Sequence, residues 1–80
     1  MCKEICVKLT GENIKRLCEE RGLGVKDLQK ALGLESRQAI YKWWEGKNIP
    51  SIDNLIKLSN ILGVTVEDII VFYEEDNINV

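Results

Sequence analysis

The sequence predicts an all-α fold, a compact bundle of five short helices. Two observations carry this. Apolar residues recur three and four apart in five successive segments, as on a helix with one buried face. Gly22, Gly24, Gly33, Gly46 and Gly63 each follow such a stretch, where a helix end favours a residue able to take positive φ. A chain of 80 residues with a hydrophobic fraction of 45% suits a single domain with a small packed core.

The first helix is expected from Gly11 to Arg21, with Thr10 as N-cap and Ile14, Leu17 and Cys18 on one face. Residues 5–9 before it alternate in polarity and read as either a short strand or an ordered arm. The second helix is expected from Val25 to Leu32, with Leu28 and Leu32 on one side and Asp27 in the first turn, where a carboxylate suits the helix dipole. The third begins after Ser36 as N-cap, ends before Gly46, and turns Ile40, Trp43 and Trp44 inward. Pro50 and the cap Ser51 open the fourth, whose stripe is Ile52, Leu55, Leu58 and Leu62. Thr65 and Asp68 form a capping box for the fifth, with Val66, Ile69, Ile70 and Tyr73 along one face. This divides a single domain, 1–80, into an arm (1–10), a core (11–70) and an acidic tail (73–80).

Net charge is −2, but it is unevenly spread. Residues 1–50 hold ten basic and seven acidic residues, a balance of +3; residues 51–80 hold one basic and six acidic, a balance of −5. That asymmetry lets one face attract phosphate. Apolar runs are short, so no signal peptide or membrane span is expected, and a cytoplasmic location follows. Cys2, Cys6 and Cys18, with no histidine, read as free reduced thiols rather than a zinc site, although oxidation could join Cys2 to Cys6. With no histidine, no glycine-rich phosphate loop and no clustered carboxylates, neither an enzyme nor a cofactor is expected.

The informative stretch is residues 25–45. A two-turn helix ends at Gly33, a short turn carries the apolar Leu34, and a second helix follows. Helices joined this tightly cross steeply, with Leu28, Leu34 and Ile40 filling the angle between them. The outer face of the second then carries Arg37, Gln38, Tyr41 and Lys42. Arginine can take guanine O6 and N7 as a bidentate pair, and glutamine can do the same with adenine N6 and N7. Tyr41 could meet a thymine methyl or a phosphate, whereas Trp43 and Trp44 read as core, because a duplex leaves no base free to stack.

Residues 11–70 resemble the phage-repressor-like (Cro/repressor, XRE) helix-turn-helix family, of the lambda-repressor-like fold. The resemblance rests on the run Gly11 to Leu17, on Leu28, Gly33, Ser36 and Ile40, and on Trp43 with Gly46-Lys47 and Pro50-Ser51 behind it; the run Leu62 to Val64 through Ile69 completes it. It implies that the third helix enters the major groove, with Arg37, Gln38 and Lys42 at base edges. Lys47 and Asn48 would hold phosphate, and a two-fold dimer would bind a pseudo-palindromic operator. Ser36 is assigned to phosphate as well. The chain departs from the family in three places. Val25 stands where a phosphate-holding Gln is usual and cannot take that role, for which Lys26 or Lys30 could compensate. Gln29 replaces a small residue and suggests a wider crossing, with Glu35 as an extra turn residue. Cys18 and Trp44 replace an Arg–Glu pair.

The reading that follows is sequence-specific binding of double-stranded DNA by a homodimeric transcriptional regulator of the repressor kind. Its dimer contact is expected at Ile70, Phe72 and Tyr73. The alternative is a protein-interaction module such as an antitoxin, binding a partner protein through the fifth helix and the tail. The net negative charge, Val25 and the acidic tail motivate it.

Overall fold

The computed structural model describes residues 4–73. In chain order these form β1 (Glu4–Ile5), α1 (Val7–Glu20), α2 (Val25–Leu32), α3 (Gln38–Trp44), α4 (Ile52–Leu62), α5 (Val66–Ile69) and β2 (Phe72–Tyr73). The fold is therefore all-α, with a minor antiparallel ribbon in which Glu4 faces Tyr73 and Ile5 faces Phe72. One core joins all five helices through Ile14, Leu17, Cys18, Leu28, Leu32, Ile40, Trp43, Leu55, Leu58, Leu62 and Ile69.

Helices α2, α4 and α5 start where their local signals put them. Asp27 accepts from the Gly24 N–H at 2.9 Å, the Ser51 hydroxyl accepts from the Asn54 N–H at 3.2 Å, and Thr65 and Asp68 exchange bonds of 3.0 and 3.2 Å. Each satisfies an N–H that the helix itself cannot. Other expectations are corrected. Helix α1 begins at Val7, not Gly11, so Val7 and Leu9 are helical and only Glu4–Ile5 is strand. Thr10 is not a cap. It is buried inside the helix, where its hydroxyl accepts from the Val71 N–H at 2.9 Å and donates to the Val71 carbonyl at 3.3 Å. The Cys6 N–H donates to that carbonyl too, at 2.7 Å, so the start of α1 is clasped to the segment after α5.

Gly24 is extended, at φ −92°, and opens α2 instead of closing a helix. Ser36 does not cap α3: Arg37 flanks the helix, and its carbonyl accepts from the Ile40 and Tyr41 N–H groups. Ile52 does not belong to the buried stripe of α4, being 74% exposed at the outward-facing first position. Helix α5 stops at Ile69, and Tyr73 lies in β2, not on a helix face. Asn13 ends α5 by donating to the Asp68 and Ile69 carbonyls, both at 2.9 Å. In the same way Arg21 donates to the carbonyl of Leu62, at the end of α4.

Backbones approach closely where α1 crosses α3. A Cβ on Gly11 would run into the Trp43 carbonyl oxygen, and one on Gly46 would come within 2.7 Å of the Lys8 Cα. Gly46 also has φ +76°, a conformation that only glycine takes without strain. These two residues let α1 seat directly against the C-terminal end of α3 and so fix where that helix points.

Cys6 and Cys18 are buried free thiols. Burial pushes the Cys18 thiol up to about 11. The Tyr73 hydroxyl donates to the Cys6 sulfur, which lowers the thiol from its ordinary value and raises the phenol. Cys2 and the acidic tail beyond Tyr73 lie outside the described residues. Among those described, no helix is long and apolar enough to cross a membrane.

Candidate nucleic-acid interface

Helix α2 ends at Gly33, whose φ of +69° lets the chain reverse while the Leu34 N–H donates back to the Gln29 carbonyl at 3.0 Å. Leu28 and Ile40 are fully buried and Leu34 is half-buried against the same core, so the angle between α2 and α3 is filled as the sequence implied. Among the candidate base-reading residues, Arg37, Gln38, Tyr41 and Lys42 are all exposed, with Tyr41 at 47%. Ile40 and Trp43 occupy the opposite, buried side of α3.

Lys26, Lys30 and Arg37 meet Gln29, Gly33 and Leu34 around one open concavity of about 490 Å³ between α2 and the turn. Its lining has three cations and no carboxylate, and among the described residues no acid pairs with Lys26, Lys30, Arg37 or Lys42. These four charges therefore stand uncompensated by a carboxylate. Ser36 is exposed in the turn between the helices, and Asn48 is exposed in the loop after α3. Lys47 in that loop is 3.3 Å from Glu45, an exposed pair of the kind worth little and easily exchanged for another anion.

Gln29 ties the turn to α3: its Nε2 donates to the Leu34 and Glu35 carbonyls, both at 3.3 Å, and its Oε1 accepts from Arg37 Nε at 2.9 Å. Glu35, in the turn, supplies one of those carbonyls. A polar side chain placed where two helices nearly touch has to find partners in the turn, and that was the available signal. Trp44 is half-buried against the core, with the Lys15 ammonium 5.9 Å from its ring centroid and its indole N–H buried without an acceptor among the described residues. Cys18, at the other position of the replaced ion pair, is fully buried in that core.

The helix-turn-helix family model matches residues 14–69, which span α2, the turn and α3 and most of the core. The chain belongs to the XRE-type helix-turn-helix family. DNA binding in transcription regulation comes with this membership. Two solved structures share the fold. The restriction-modification controller protein C.AhdI from Aeromonas hydrophila is 22% identical, with a TM-score of 0.70 over 79% of this chain and 94% of that one. The DNA-binding domain of BldD is 18% identical, with a TM-score of 0.69 over 82% of this chain and 94% of that one. No curated protein sequence matches this helix-turn-helix chain significantly.

Proposed function

We propose that this chain is a homodimeric repressor that binds a pseudo-palindromic DNA operator with α3 in the major groove. The observation that carries the reading is the outer face of α3 and the turn before it: Arg37, Gln38, Tyr41 and Lys42 exposed beside a concavity lined by Lys26 and Lys30. A major groove about 12 Å wide admits a single helix. In that pose Arg37 and Gln38 read base edges, with Tyr41 and Lys42 further along. Lys26, Lys30, Ser36, Lys47 and Asn48 hold phosphates on either side, and phosphate contacts set register while base contacts set preference. The fold is shared with a restriction-modification controller and with a DNA-binding domain, which fits this role. The dimer contact is assigned to the end of α5 and β2, where Ile70 and Phe72 are half-buried and Tyr73 is 53% exposed.

The deciding experiment is selection of bound sequences from a random DNA pool. A symmetric motif supports the dimer and its spacing gives the half-site separation. An asymmetric single-site motif removes the dimer, and no enrichment at low salt removes the reading as a whole. A reporter driven through the selected operator then tests repression, which predicts lower expression when the protein is present.

A further inference from the structure

We infer that Gln29 is the positioning residue that sets the base preference of Arg37. This rests on the DNA-reading role of Arg37 proposed above. The argument starts from the amide. Its NH2 faces two backbone carbonyls, those of Leu34 and Glu35, so only one orientation of the side chain satisfies both. That orientation turns Oε1 toward the start of α3, where it accepts from Arg37 Nε at 2.9 Å. Among the described residues the two terminal nitrogens of Arg37 have no partner. A guanidinium held at Nε keeps its far edge of two NH2 groups, the edge that can meet guanine O6 and N7 end-on. Arg37 is exposed and lies on the turn, so without Gln29 its long side chain would sample many rotamers before each encounter. The turn residues Leu34 and Glu35 and the polar residue at position 29 thus form one device. Glu35 and Leu34 orient the amide, the amide orients the arginine, and the arginine presents a fixed donor pair.

The test is a double-mutant cycle on the selected operator, with Gln29→Met and Arg37→Ala alone and together, measured against operators changed one base pair at a time. Methionine keeps the length and helix propensity of glutamine and removes every hydrogen bond. Gln29→Met is expected to lower discrimination at the base pair read by Arg37 by about three- to tenfold per half-site, the cost of ordering one long side chain on binding. It leaves other base pairs unaffected and adds nothing in the Arg37→Ala background. An equal loss on every operator, persisting without Arg37, would mean that Gln29 only holds the turn together and would overturn the inference; so would unchanged discrimination.

A DNA-free readout runs beside it. The chain has three arginines, Arg16, Arg21 and Arg37. Their Nε–H NMR signals should divide cleanly: Arg21 is bonded through Nε to the Leu62 carbonyl and Arg37 to Gln29, whereas Arg16 bonds only through its terminal nitrogens. Slow exchange at Arg21 and Arg37, with the Arg37 signal alone lost in Gln29→Met, supports the inference. Fast exchange at Arg37 in the unmutated protein overturns it while leaving DNA binding standing. If the unmutated protein binds no DNA, the DNA reading itself has failed and the inference fails with it.

Discussion

The two junctions at the ends of α3 are built by different physics. At its C-terminal end, the contact with α1 is steric: Gly11 and Gly46 bring backbone against backbone, and no added atom fits. At its N-terminal end, the turn from α2 is open and polar, tied by the three hydrogen bonds of one side chain, Gln29. The first junction fixes where α3 points. The second holds Arg37, at the start of α3, by its Nε. Close packing tolerates no change and so carries the fold, whereas a half-exposed hydrogen-bond cluster can change without unfolding anything and so can carry specificity.

This contrast can be broken by substitution at either end. The largest effect is expected from Gly11→Ala, which forces α1 away from the Trp43 carbonyl. It should destabilise the domain by about 3 kcal/mol, which lowers Tm by on the order of 15 °C in a domain this small. An unchanged melting curve would show that the α1–α3 junction is softer than its geometry implies. At the other end, Arg37→Ala should leave Tm unchanged yet weaken operator binding by roughly 1–3 kcal/mol and blur one base pair. A fall in Tm instead would place that arginine in the scaffold.

Titration separates the regions again. Cys18 lies in the packed core on α1, and its thiol is raised from 9.0 to about 11 by burial. The unfolded chain therefore releases this proton near pH 9 while the folded chain keeps it. Stability from Cys18 is complete below pH 9 and falls by about 1 kcal/mol per pH unit as pH rises toward the folded value. Urea unfolding of the unmutated protein and of Cys18→Ala from pH 8 to 11 isolates this slope, which should be absent in the variant. The smallest effect is expected at Lys47, which is 67% exposed and, among the described residues, paired only with Glu45. Lys47→Ala should reduce the slope of log K against log salt by about 0.9 per lost phosphate contact, with no change in sequence preference.

Much of this was legible in the sequence, for identifiable reasons. Periodicity placed α2 and α4, and the caps Ser51 and Thr65 lie where they were expected, because each bonds an N–H three residues away in its own helix. Thr10 and Ser36 look equally good as caps and are not. The Thr10 hydroxyl has its partner 61 residues away at Val71, which no local pattern announces. Gly11 matched the family pattern, but its purpose is a contact with the far end of another helix. Gln29 read as a departure because its partners come together only once the turn has closed.

The sequence by itself determined the helix count, the family and the outward set Arg37, Gln38, Tyr41 and Lys42, because alternation between apolar and polar faces is written locally along the chain. Tertiary structure alone decided the clasp of α1 to Val71, the glycine contact that seats α1 against α3, and the Gln29–Arg37 pair. Each of these depends on a distance between residues far apart in sequence or on the closure of a turn, and such distances are fixed only when the whole core packs.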